Sequence, residues 1–393
     1  MIFWKKTLKL VSTLALVGLV GFLVFGPGYV ERSRNTVAAH APYLISDRAQ
    51  ALHDSLTIAD WHADSLLWNR DLSERGAYGQ VDLPRLLEGN VAVQAFTAVT
   101  KSPAGLNYDG NDTEAFDNIT PLVMAQLWPA RTWGSLFQRA MYQAEKLAEV
   151  QQAAPDSLKI IRTIDDLDSV LARRAAGEKI VGGLLGIEGA HPLEGDMTNL
   201  LRLESAGYRL IGLQHFFDNE LGGSLHGRSN AGLTDFGREV VAEVQRRGLI
   251  LDVAHSSEQV VADVLDMVDM PIVLSHTGIR SVCDVKRNIP VALMQRIAAT
   301  GGVIGIGYWQ EVTCDDTPAG VARSIVAATE VLGIEAVSLG SDFDGSVGTT
   351  FDTSELAAIT QELLKLAMTE PDIRMIMGEN MLRVIRARLA QRP

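Results

Sequence analysis

The sequence predicts an α/β chain: a (β/α)8 TIM-like barrel with a helical insertion after its second strand, preceded by one N-terminal transmembrane helix. Three observations predict it. From about residue 55 onward, short runs rich in β-branched residues alternate with amphipathic stretches. Those runs are apolar throughout, as strands buried on both faces are, and alternation with helices points to a parallel sheet. The first thirty residues contain an uncharged run of membrane-crossing length.

Taken in order, the chain opens with a basic stretch at residues 1–9 carrying Lys5, Lys6 and Lys9. The run from Leu10 to Val30 then holds 21 residues without a charge, against the about 20 needed to cross a bilayer core. The lysines on its amino side predict a cytoplasmic N-terminus and an extracytoplasmic body, periplasmic in a bacterium. A cleaved signal peptide, and so a secreted body, is the competing reading. Its small-residue site appears only at Ala39-His40-Ala41, far beyond the apolar run. Residues 31–54 read as a linker and leading helix, and 55–393 as the barrel.

Eight strands are expected at Leu56–Trp61, Val91–Ala98, Ile180–Ile187, Leu210–Gln214, Leu249–Ala254, Ile272–Ser275, Gly302–Tyr308 and Ala336–Gly340. Amphipathic helices are expected at Thr234–Arg247, Glu258–Met267, Val291–Ala299 and Pro318–Leu332. The body is longer than the about 250 residues of an ordinary barrel. The excess falls at Thr100–Lys179, with a helical core over Thr120–Val150 that contains Trp128 and Trp133.

Composition narrows the function. There are 48 acidic and 35 basic side chains, a net charge of −13, and no basic block, which excludes nucleic acid as a partner. With 2 cysteines, a metal site must rest on imidazoles and carboxylates.

Such residues stand where the strands end. They are His62 and Asp64, Glu188, His215, His255, His276 and Asp342. A barrel opens every strand's carboxyl end on one face, so these side chains can converge. Residues two apart on a strand point the same way, so His62 and Asp64 suit one metal. His255 and His276, ending consecutive strands, suit a second, with Glu188 between them as a bridge. Two ions so held would ionise a water. A lone buried histidine is usually a satisfied core residue, and the weight lies in the whole set. His40, His53 and His226 read as solvated loop or linker histidines, and His191, three residues after Glu188, as an ordinary loop histidine, the alternative being a place behind the metal ligands.

On these residues the chain resembles the membrane (renal-type) dipeptidases, metallopeptidases of the amidohydrolase superfamily. The matching segments are DWHAD at 60–64, GIEGAH at 186–191, LQH at 213–215, LDVAHSS at 251–257, LSHTGIRSVCDVKRNIP at 274–290 and GSDFDG at 340–345. The resemblance implies a dipeptide substrate and two zinc ions, with His62 and Asp64 on one, His255 and His276 on the other, and Glu188 shared. It implies that His215 polarises the substrate, that Asp342 handles the proton and that Arg287 receives the terminal carboxylate. It also implies a Cys283–Cys314 disulfide and a homodimer. A lipid anchor at the carboxyl end, common among relatives, is not expected for MLRVIRARLAQRP. Trp61, Ala63 and Lys286 depart from the family pattern, and Trp61 and the insertion around Trp128 bear on substrate preference. The rival expectations are a sister hydrolase of another small amide, lactam or ester, and a non-catalytic tethered binding protein.

Overall fold

The structure, a computed structural model, describes residues 2–391; the side chains of residues 2–6, 8–11, 15, 16 and 19 lie outside that description. Nine parallel strands build one sheet: β1 Ile58–Ala63, β2 Val91–Val99, β3 Leu158–Ile160, β4 Val181–Glu188, β5 Tyr208–Gly212, β6 Ile250–Asp252, β7 Val273–Thr277, β8 Val303–Ile306 and β9 Val337–Leu339. Neighbours run β2-β1-β9-β8-β7-β6-β5-β4, and β2 pairs back onto β4, closing an eight-stranded ring. All eight expected strands are present. β3 was not anticipated; it pairs with Val181–Gly183 of β4, ahead of the stretch Leu185–Ile187 that pairs with β5.

The eight strands of the ring are buried along their whole length, which is why their sequences lack alternation. Expected helices appear at Asp235–Arg246, Glu258–Met267, Val291–Ala299 and Pro318–Leu332. Thr234, Ser257 and Thr317 cap three of them, each side chain accepting a backbone N–H of the first turn.

Among the described residues, five α-helices precede β3: α1 (Ile2–Arg34), α2 (Asp47–Asp54), α3 (Leu83–Glu88), α4 (Ile119–Ala125) and α5 (Leu136–Ala153). The insertion's helical core, expected over 120–150, is built of two α-helices, α4 and α5. The chain breaks at Leu127, whose φ is 57°, and Pro129 follows; neither conformation nor ring continues a helix. The predicted span at 10–30 lies within α1, and some of its side chains, Leu10 and Leu16 among them, are outside the described residues. Among the described residues no helix is long and apolar enough to cross a membrane.

His53 corrects the sequence expectation of a solvated linker histidine. It is buried at the end of α2, with Nδ1 2.9 Å from the Thr360 hydroxyl and Nε2 3.2 Å from the Gly89 carbonyl. Burial pushes its pKa down to about 4, against the weaker help of the Gly89 carbonyl. The unfolded chain therefore takes up a proton at about pH 6.5 that the native ring refuses. The native state keeps its full advantage above that pH and loses it progressively down to about pH 4. Urea titrations should show a stability loss on the order of 3 kcal/mol across this window, part of which disappears in His53→Gln. Identical pH slopes for the two proteins would sink the assignment.

Candidate metal centre

All seven strand-end residues are buried at one mouth of the ring. His62 lies in β1 with Asp64 just beyond it, Glu188 closes β4 and His276 lies in β7. His215, His255 and Asp342 follow β5, β6 and β9. His255 and Asp342 adopt left-handed backbone conformations, φ 61° and 60°, a local cost of about 1–3 kcal/mol that turns each side chain inward from its strand end. Gly345 leaves room for Asp342, because a Cβ there would lie 2.0 Å from its Oδ1.

Glu188 is the hub. Its Oε1 lies 3.0 Å from His255 Nε2, 3.3 Å from His276 Nε2 and 3.4 Å from His62 Nε2, and its Oε2 lies 3.4 Å from His215 Nε2. His62 Nε2 is also 3.4 Å from Asp64 Oδ1 and 3.8 Å from Asp342 Oδ1. Ligand atoms of His62, Asp64 and Glu188 fall close enough together to hold one ion, as do those of Glu188, His215 and His255, and those of His62, His276 and Asp342.

Surrounding residues fix this set. Asp60 accepts from the backbone N–H of His62 at 2.9 Å and of Ser341 at 3.0 Å, tying β1 to the end of β9. Asp252 does the same for Ala254 and Ser275, at 2.9 and 3.0 Å. Thr97 donates to Asp64 at 2.6 Å. His215 Nδ1 donates to the Lys101 carbonyl at 3.1 Å, which orients its Nε2 toward Glu188 and the cavity.

The charges suit a cation. Burial raises the pKa of Asp342 well above the carboxylate range, and burial with the charge of Glu188 raises that of Asp64. Burial disfavours a charged His62, yet Glu188 and Asp64 outweigh it and hold the ring protonated well above its usual range. That imidazolium stands in for positive charge that the carboxylates demand. His255 and His276 are held neutral, chiefly by burial, the form that ligates. Their Nε2 atoms face each other at 2.9 Å, while Glu188 Oε2 and His255 Nδ1 are buried without a hydrogen bond. The donor set of imidazole and carboxylate fits zinc-like ions.

Arg287, in a polar loop by sequence, is fully buried. Its Nη2 donates to the His276 carbonyl at 2.7 Å, while Nε and Nη1 have no hydrogen-bond partner. Cys283 and Cys314 form a disulfide that joins the Arg287 loop to the segment after β8. A cavity of about 500 Å³ rises from Asp64, Glu188, His215, His255, Arg287 and Asp342, past Tyr108, Trp309 and Trp68, to Val30 and Arg34 of α1.

Three expectations need correction. His226 is not solvated: its ring is buried, stacked on Phe216 at 4.6 Å and 5.2 Å from His255. His191 is buried as well, its pKa pushed down to about 3, mainly by burial. Trp61 packs with Ala59, Val93 and Leu184, and Trp128 with Val99 and Val123; neither lines the cavity. The bracing roles of Asp60 and Asp252 escaped the sequence, although Asp60 has the two-residue spacing from His62 that places both on one side of the strand.

The comparisons agree with this geometry. A family model described as membrane dipeptidase, peptidase family M19, matches residues 46–392. A dipeptidase of Aspergillus oryzae is 27% identical over 349 residues, covering 84% of this chain and 77% of that protein. An uncharacterised dipeptidase of Schizosaccharomyces pombe is 27% identical over 330 residues, covering 79% and 73%. Among solved structures, a family M19 metallopeptidase named dipeptidase AC superposes with a TM-score of 0.68 at 25% identity, covering 85% of this chain and 99% of that one.

Proposed function

This chain belongs to the membrane dipeptidase family, peptidase family M19, and from that premise we propose that it hydrolyses the amide bond of dipeptides at a pair of zinc ions. Hydrolysis by a metallopeptidase follows from the family; the substrate, the metal and its count are the proposal. His62 and Asp64 would hold one ion, His255 and His276 the other, and Glu188 would touch both. When bound, such ions supply an ionised water at neutral pH and polarise the scissile carbonyl.

The chain's own residues do the remainder. His215, held at Nδ1 by the Lys101 carbonyl, turns Nε2 toward the cavity, where it would polarise the scissile carbonyl. Asp342, whose pKa is raised by burial, takes the proton of the attacking water on a carboxylate oxygen and hands it to the leaving amine. Arg287 receives the terminal carboxylate as a buried positive charge, with Nη1 free to donate to one of its oxygens.

The observation that carries the substrate class is that buried guanidinium with two unpaired atoms beside the cluster. Arg287→Met should raise KM for Ala-Ala roughly 10- to 100-fold, the worth of hydrogen bonds to a charged group, and leave the corresponding dipeptide amide unchanged. Equal effects on both substrates would favour a neutral amide, lactam or ester instead.

We also propose that residues 10–30 tether the enzyme to a membrane, with its catalytic body on the extracytoplasmic side. The uncharged run behind Lys5, Lys6 and Lys9 supports this. Release of the full chain from membranes by alkaline carbonate would overturn it.

A further inference from the structure

The residues just after that run are built into the catalytic mouth. Glu31 and Asn35 are only 2% exposed, and Asn35 Oδ1 accepts from the Ser346 backbone N–H at 2.9 Å. Two further bonds tie the following residues to the same loop, Ala38 N–H to the Thr349 carbonyl at 2.8 Å and Thr349 N–H to the Thr36 carbonyl at 2.9 Å. This loop, which follows β9, also carries Asp342.

Arg70 connects the two sides. Its buried guanidinium donates to Glu31 and to Asp344, the latter at 2.5 Å, and its Nη1 donates to the Val81 carbonyl at 2.8 Å. Gly79 makes the space, since a Cβ there would sit 2.3 Å from the guanidinium carbon. Asp344 is itself shared. Its Oδ2 accepts from the Ser65 hydroxyl at 2.7 Å, its Oδ1 from Gln80 N–H at 2.8 Å, and its carbonyl from the Trp68 indole at 2.7 Å. Ser65 follows Asp64 in sequence, and Asp344 comes two residues after Asp342. One carboxylate thus pins the loop after β1 to the loop after β9.

We propose that Glu31, Arg70 and Asp344 form a brace that sets the position of Asp342 relative to Asp64, making Arg70 and Glu31 positioning residues for proton transfer. The inference rests on the proton role given to Asp342 above. Its physical basis is that one buried guanidinium holds both Glu31 and Asp344, so its removal takes the shared donor from both carboxylates at once. Displacing a reacting group by about 1 Å can cost on the order of 100-fold in rate.

The test uses the full-length, zinc-loaded enzyme with Ala-Ala as substrate. Arg70→Met should lower kcat about 30-fold with KM within threefold of wild type and zinc content unchanged. The milder Glu31→Gln should lower kcat about fivefold in the same pattern, and Arg70→Lys should recover part of the loss. In an Asp342→Asn background, Arg70→Met should produce no further loss, because the residue through which it acts is already disabled. A 30-fold loss persisting in that background, or KM and kcat changing together, would overturn the brace and leave a merely structural ion pair. Wild-type kcat in both Arg70→Met and Glu31→Gln would overturn it as well. Near-normal turnover by Asp342→Asn alone would instead count against the proton role itself.

Discussion

Glu188→Gln should strip the enzyme of metal and of activity together. The change keeps the side chain's size and removes its charge, at the point where Oε1 meets the Nε2 atoms of His255, His276 and His62 within 3.0–3.4 Å. An amide offers one weaker acceptor where a carboxylate offers two oxygens, so both proposed ions lose a shared ligand. Zinc retained after gel filtration should fall from two equivalents to below one, and kcat should drop by a factor on the order of 10³ or more. Chelation of the wild-type protein should give the same loss, reversed by zinc. The fold should survive both treatments by circular dichroism, because the ring is closed by backbone pairing and an apolar core. Two retained zincs with kcat within tenfold of wild type would remove Glu188 from its bridging role.

Asp342→Asn separates metal binding from proton transfer. Asparagine has the same shape and tolerates the φ of 60° found here, so the loop should stay in place. General acid–base catalysis contributes roughly 10²- to 10⁴-fold, and kcat should fall by about that amount with two zincs still bound. The outcome also decides between two placements. Asp342 Oδ1 lies 3.8 Å from His62 Nε2, and Asp342 groups with His62 and His276 as a set able to hold an ion. Loss of one zinc equivalent in the variant would make Asp342 a ligand rather than the proton carrier.

The barrel was legible because parallel strands buried on both faces leave unbroken apolar runs, and polar residues at their ends stand out against them. That contrast marks His62, Glu188, His276 and Asp342 by sequence alone. It fails where the signal is not local. β3 is three residues long, shorter than any usable periodicity. His53 and His226 sit in polar sequence, and only distant partners, Thr360 for one and Phe216 for the other, reveal their burial. Arg287 looks like a surface arginine until the Cys283–Cys314 bridge and the loop after β8 fold over it. The residues after Val30 read as a linker because hydrogen bonds to Ser346 and Thr349 span more than 300 positions.

That span has a kinetic side. The first strand's Asp60 is satisfied by Ser341, 281 residues later in the chain, so the brace beneath His62 is complete only when the last strand is in place. Closing so large a loop costs conformational entropy before any contact repays it, and topologies dominated by such pairings fold slowly. An ion gathered by His62, Asp64 and Glu188 would join β1 to β4 and, by binding the folded ring alone, would slow its unfolding.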